Sequence, residues 1–422
     1  MAMMQASRFG HLVLSTALRF LLFCIVISSN HSSLAASGAG DEERSNLVIL
    51  LSWDGMRHDF PERGNYPALR RIEAEGIRAG RLTPVYLSNT FPGHVSLATG
   101  AEPSVHGIVD NVFYDRARGM YAYSSEADWL TAEPLWVTAE RQGVKAAVYF
   151  WVGSETDWQG TGASYRITPF DGWRDESEKV DQIIEWIDLP ATQRPGLIMS
   201  YWNGPDTIAH TKGPDHEDVA EVIAEQDEQL GRLLTAIDQR QLWSKTTLIV
   251  VSDHGMTEVT ASVEIRTAIE TAGLDVRITG GGAAQHLFLN NANDRQAVRD
   301  LLLGQPHIEV FEGDNIPEPL TAPNRTGDFV VTTQPPYTLS RADSFVAKAV
   351  AWVSPIMGWS SGSHGYDPSL PDMGGIFFAI GNGVTASKPL PEIHQLEVAP
   401  TVTRLLGIDP PGSASRSGIT LE

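Results

Sequence analysis

The chain has 422 residues, more than one compact domain usually holds, so one large α/β domain with an insertion, or two domains, is expected. Its 52 Asp and Glu against 31 Lys and Arg give a formal net charge of −21. A surface this acidic repels long polyanions and lacks the basic stripe that nucleic-acid backbones need, which excludes long nucleic acids but leaves room for a small phosphate compound in one charged pocket.

Near the N-terminus, Phe20-Leu21-Leu22-Phe23-Cys24-Ile25-Val26-Ile27 forms an apolar run preceded by Arg8 and Arg19 and followed by Ser33-Leu34-Ala35. The run is short for a bilayer span and has the pattern of a secretory signal. Residues 1 to about 35 are therefore expected to be cleaved on export, leaving no stable membrane anchor. Cys24 is the only cysteine, and Leu22 and Phe23 before it are too large for lipid attachment. The mature chain then has no disulfide and no thiolate for a metal, which suits a bacterial periplasm.

Beyond the signal, Leu47-Val48-Ile49-Leu50-Leu51-Ser52 is a continuous apolar run that ends just before Asp54. Runs of the same kind follow at 144–150, 196–201 and 246–251, separated by segments of helical period such as 215–240. Continuous apolar strands alternating with helices predict a mostly parallel sheet sandwiched by helices. Asp54, Asp206 and Asp253 each fall just past a predicted strand, where open α/β sheets gather their ligands. Residues 259–345 differ, with short alternating runs such as 285–289, a helix-like 294–303 and a Pro-rich 316–336, and predict an inserted small α+β subdomain. The catalytic core is then expected to occupy 42–258 and to return over 346–422, with a strand at 375–381 and a closing helix near 396–406.

Three short stretches carry most of the chemistry: Asn89-Thr90-Phe91-Pro92-Gly93-His94, Pro205-Asp206-Thr207-Ile208-Ala209-His210 and Ser252-Asp253-His254-Gly255. Divalent ions of hard or borderline character take carboxylate oxygen and imidazole nitrogen. In a chain without a usable cysteine the candidate ligands are Asp54, Asp206, His210, Asp253, His254 and His364. Asp206 and His210 are four apart, so one helical turn puts both on one face. Six such ligands with the Thr90 hydroxyl suit two metals and point to a hydrolase of phosphate esters. Thr90 precedes Phe91, Pro92 and a helical pattern at 94–99, which sets its hydroxyl beside a helix N-terminus that favours negative charge.

Together Asp54, the 89–94 stretch, Ser104-Val105-His106-Gly107-Ile108-Val109-Asp110-Asn111, Pro205-Asp206 with His210, Ser252-Asp253-His254-Gly255 and His364-Gly365-Tyr366-Asp367 resemble the nucleotide pyrophosphatase/phosphodiesterases of the alkaline phosphatase superfamily. The resemblance spans roughly 46–410 and implies an alkaline-phosphatase-like fold, two Zn2+ per chain and a covalent threonine intermediate. It implies one zinc on Asp54, Asp253 and His254, also touching Thr90, and the other on Asp206, His210 and His364. Thr90 and Asn111 become the catalytic pair, with Asn111 donating to a phosphoryl oxygen. A neutral donor matches a diester or pyrophosphate better than a monoester dianion, which rewards arginine. Phe91 and Tyr201 match aromatic walls for a nucleobase, with Tyr123 and Tyr165 as further candidates. The implied activity is hydrolysis of small nucleotides to nucleoside 5′-monophosphates. The alternatives are a choline or glycerol phosphodiester, a phosphonate or a phosphomonoester as substrate, or a non-catalytic metal-binding protein. Gly93, Trp202-Asn203 and Thr207-Ile208-Ala209 depart from the family pattern, beside the pocket rather than at the ligands. His94, His106 and His286 are read as structural.

Overall fold

A computed structural model describes residues 46–340, 361–386 and 389–421. The expected export signal and the junction at 345–346 lie outside these residues. Strand β1 (Leu47–Trp53) is apolar at nearly every position and buried at all of them, because both faces of its sheet are covered. The other strands of that sheet are β2 (Ile77–Thr83), β3 (Ala146–Tyr149), β4 (Tyr165–Ile167), β5 (Leu197–Trp202), β6 (Thr246–Val251), β7 (Phe377–Gly381) and β8 (Leu390–His394). Their order is β8-β2-β7-β6-β1-β5-β3-β4. Every neighbouring pair is parallel except those of β7, which runs antiparallel to both β2 and β6.

Alternation along β1 divides the interior into two layers. Val48 and Leu50 face a core that includes Val95 and Leu97 of helix Thr90–Thr99 and Val398 and Val402 of helix Val398–Leu406. Ile49 and Leu51 face a second core with Leu69 of helix Pro67–Glu75, Ile183 of helix Glu176–Ile187 and Leu233 of helix Glu217–Gln239. The last of these has the period expected for 215–240, burying Val219, Ile223, Leu230 and Ile237 along one stripe.

Between β6 and β7 the chain builds a separate antiparallel sheet from Val276–Gly281, Ala284–Leu289, Phe329–Thr332 and Glu309–Glu312. Ile278, Leu287, Val298, Leu302, Phe329 and Val331 form a core of its own. The buried pair Arg325 and Asp115, 2.8 Å apart, joins the loop before Phe329 to the short strand Val112–Asp115.

Candidate active site

Asp54 follows the last residue of β1, Asp253 lies two past the end of β6, and Asp206 opens helix Asp206–Lys212 soon after β5. Since β5, β1 and β6 are adjacent and parallel, three carboxylates meet at one end of the sheet. One helical turn past Asp206, His210 brings Nε2 to 3.4 Å from Asp206 Oδ1, and His364 Nε2 lies 3.7 Å from the same oxygen. His254 Nε2 stands 3.4 Å from Asp54 Oδ1 and 3.2 Å from Asp253 Oδ2. The result is two groups, Asp206/His210/His364 and Asp54/Asp253/His254, with the donor atoms of each within 4.8 Å of one another. The rings of His254 and His364 stack at 3.6 Å, so the two groups adjoin.

The chemistry of these donors fits a pair of cations. Each imidazole turns Nδ1 to a backbone carbonyl: His210 to Gly362 at 2.8 Å, His254 to Gly255 at 2.9 Å and His364 to Ser88 at 2.9 Å. A carbonyl only accepts, so each Nδ1 donates there and Nε2 is the ring atom turned toward the carboxylates. Asp54 Oδ1, Asp206 Oδ1 and Asp253 Oδ2 are buried without a hydrogen-bond donor. Asp253 Oδ2 does face His94 Nδ1 at 3.3 Å, but that nitrogen is directed at the Thr90 carbonyl, 2.8 Å away. Carboxylate oxygens brought together without donors repel one another, and a set of oxygen and nitrogen donors suits divalent cations. Burial, and then the Asp253 and Asp206 carboxylates, push Asp54 well above the usual carboxylate range. Burial acts the same way on Asp253, but His254 and His94 outweigh it and hold that carboxyl low.

Thr90 is the first residue of helix Thr90–Thr99, whose N-cap is Asn89. The threonine thus stands inside the first turn rather than capping it, and the helix starts four residues before the 94–99 pattern. Its Oγ1 lies 3.3 Å from His254 Nε2, in contact with one of the ligand groups. Asn111 accepts the Phe91 N–H on Oδ1 at 2.8 Å, which fixes the amide and leaves its NH2 to donate elsewhere. Asp110 Oδ1 steadies both neighbours, accepting from Asn89 Nδ2 at 2.8 Å and from Asn111 N at 2.7 Å.

Of the aromatic candidates, Phe91 and Tyr123 meet edge to face at 5.1 Å. Tyr201 donates its hydroxyl to Asp54 Oδ2 at 2.7 Å, a contact no local pattern reveals. Tyr165, on the edge strand β4, donates to Gln193 O at 2.9 Å and is tied to none of these residues. Two residues were missed by sequence reasoning. Phe170 is 41 % exposed, with its ring 6.0 Å from that of Tyr201. Buried Gln395 donates to the Asp253 carbonyl and accepts from Val85 N at 3.1 Å. Both owe their place to distant chain segments, and neither sits in a recognisable motif. His94 uses both nitrogens inside the fold, on Thr90 O and, at 2.9 Å, on Ser52 Oγ.

Two expected outcomes follow from this packing. Removing only the phenol oxygen, as Tyr201→Phe, frees one Asp54 oxygen and is expected to weaken metal binding about 10- to 100-fold, as loss of a ligand's supporting hydrogen bond does. Titrating the chelated protein with zinc and following occupancy checks it. Gly204 has φ +60° and lies so close to Asp54 that a methyl would run into the Asp54 carbonyl. Gly204→Ala is expected to cost on the order of 2–4 kcal/mol, read from denaturant unfolding, because strain and overpacking combine.

The chain was compared with known proteins. Residues 48–367 match the family model described as type I phosphodiesterase / nucleotide pyrophosphatase. An uncharacterised pyrophosphatase/phosphodiesterase of Schizosaccharomyces pombe is 36 % identical over 221 residues, 50 % of this chain and 45 % of that protein. Venom phosphodiesterase 2 of Crotalus adamanteus is 28 % identical over 385 residues, 86 % of this chain and 45 % of the venom protein. The chain therefore spans about half the length of these relatives. The solved structure of murine ectonucleotide pyrophosphatase/phosphodiesterase 5, an inactive threonine-to-alanine form in complex with AMP, shares the fold. Its TM-score is 0.77 at 24 % identity, covering 87 % of this chain and 96 % of that one. With more than half its length matched by one family model, the chain belongs to the type I phosphodiesterase / nucleotide pyrophosphatase family.

Proposed function

We propose that this protein is an exported, two-zinc phosphodiesterase and nucleotide pyrophosphatase that cleaves small nucleotides through a covalent phosphothreonine at Thr90 and releases nucleoside 5′-monophosphates. The observation that carries the reading is the meeting of six donor residues, with one oxygen of each of the three carboxylates buried without a hydrogen-bond donor, beside a hydroxyl in the first turn of a helix. Asp54, Asp253 and His254 would hold one zinc, with Thr90 beside it, and Asp206, His210 and His364 the other. Ions so held supply the positive charge that favours an ionised hydroxyl and a departing oxyanion.

The chain's own groups do the rest. Thr90 Oγ1, without its proton, forms the bond to phosphorus as the bond to the leaving oxygen breaks. Asn111 turns its NH2 group toward a non-bridging oxygen, held in that orientation by the Phe91 N–H. Water then opens the phosphothreonine bond and restores the hydroxyl. The aromatic rings of Phe91 and Tyr201 would flank the base, with exposed Phe170 at the rim. The murine relative gives this reading support, since its inactive form lacks a threonine and binds AMP. The stretch 259–345, with its separate sheet, we read as an insertion that supports the core. Export rests on the N-terminal signal pattern, and no described helix is long and apolar enough to cross a membrane.

The test is a comparison on purified, zinc-loaded protein of p-nitrophenyl thymidine monophosphate, p-nitrophenyl phosphate and p-nitrophenyl phosphorylcholine. The nucleotide diester is expected to be fastest by kcat/KM. A faster monoester or choline ester overturns the nucleotide assignment in favour of that substrate.

A further inference from the structure

Lys179 is wholly buried in helix Glu176–Ile187, one turn after Glu176. Burial pulls its ammonium below the ordinary lysine value, with Glu176 opposing. Its Nζ lies 3.2 Å from Glu176 Oε1 and 5.6 Å from the centre of the Tyr201 ring. Glu176 Oε1 also accepts the backbone N–H of Asn203 at 2.9 Å, and Asn203 Nδ2 donates to Gly172 O at 2.9 Å. An apolar side chain would fill this space at no electrostatic cost, since a buried ion pair gives little net stability over a packed hydrophobic replacement. The pair is placed where it reaches the site twice. Tyr201, whose ring is within range of the ammonium, donates to Asp54. Asn203 begins the short segment that ends at Asp206.

We infer that the pair formed by buried Lys179 and half-buried Glu176 is a positioning device for both halves of the metal centre, setting Asp54 through Tyr201 and Asp206 through Asn203. The ammonium below the ring draws electron density from the phenol and makes its O–H a stronger donor to Asp54 Oδ2. Glu176, held in place by the lysine, fixes the backbone at Asn203 just before the turn into Asp206. The inference rests on the metal-binding reading of the site but assigns to these two residues a role that reading does not need.

Lys179→Met keeps the length of the side chain and removes its charge. Zinc binding is followed by competition with a chromogenic chelator, and activity as a function of free zinc. Lys179→Met is expected to weaken zinc binding about tenfold while kcat at saturating zinc stays within about threefold of the unmodified protein. In a Tyr201→Phe background the same change is expected to add clearly less than tenfold, because the route through the phenol is gone and only the one through Glu176 and Asn203 remains. Should Lys179→Met fail to fold, Lys179→Met/Glu176→Gln leaves no unpaired buried charge and keeps an acceptor for Asn203, and the same shift is expected. Unchanged zinc affinity in a folded variant, or effects of Lys179→Met and Tyr201→Phe that multiply in full, overturns the inference. Unmodified protein that binds no zinc instead overturns the proposed function.

Discussion

Replacing Thr90 by alanine is expected to lower turnover on the order of 10⁴-fold or more while leaving bound metal unchanged, because the proposed covalent step would lose its nucleophile. The hydroxyl lies 3.3 Å from His254 Nε2, and the rest of the side chain sits in the first turn of Thr90–Thr99. Deleting it opens no large cavity, so melting should shift by no more than about 2 °C. Three measurements on one preparation decide the matter: kcat on the nucleotide diester, metal content, and thermal unfolding. Thr90→Ser, which keeps a hydroxyl, is expected to retain measurable turnover and to show a phosphorylated serine when quenched early. Substantial activity in Thr90→Ala, with the fold intact, places the nucleophile elsewhere.

Stripping the metal with a chelator is expected to abolish activity and to destabilise the fold at the same time. Asp54, Asp206 and Asp253 converge with unsatisfied oxygens, and Asp54 is already driven upward by burial and by the other two. Each ion bound at about 1,000 times its dissociation constant contributes about 4 kcal/mol, so losing two should lower the melting temperature on the order of 10 °C. Restoring zinc should recover both properties, and the activity should return only when both groups are filled. A chelated protein that melts at the same temperature would show that these carboxylates do not hold a cation in the folded state.

How much of this was legible in the sequence depends on distance along the chain. The run Leu47–Trp53 reads as a central strand because burial on both faces leaves no polar position to confuse the pattern. Asp206 and His210 read as neighbours because helix periodicity is local. Strands toward the side of the sheet were harder. In β2, Arg78 and Arg81 interrupt the apolar residues, and its partners β7 and β8 come only near the end of the chain. The same limit applies inside the site. Tyr201 is visible as an aromatic near Asp206, but the oxygen it donates to belongs to a residue 147 positions earlier. Lys179 was invisible for a different reason. Glu176-Ser177-Glu178-Lys179 reads as a solvated helix start, and only the packing of that helix under β5 buries the lysine.

The sheet order has a bearing on how the molecule is made. β1 is synthesised first, yet it lies between β5 and β6, which leave the ribosome much later. Until they arrive, an uninterrupted greasy segment has neither edge satisfied, a state prone to aggregation and slow to resolve because its contacts are so non-local. The nascent chain should therefore depend on holding factors until the later strands are made. Overproduction that outruns them should yield inclusion bodies rather than soluble, partly folded material.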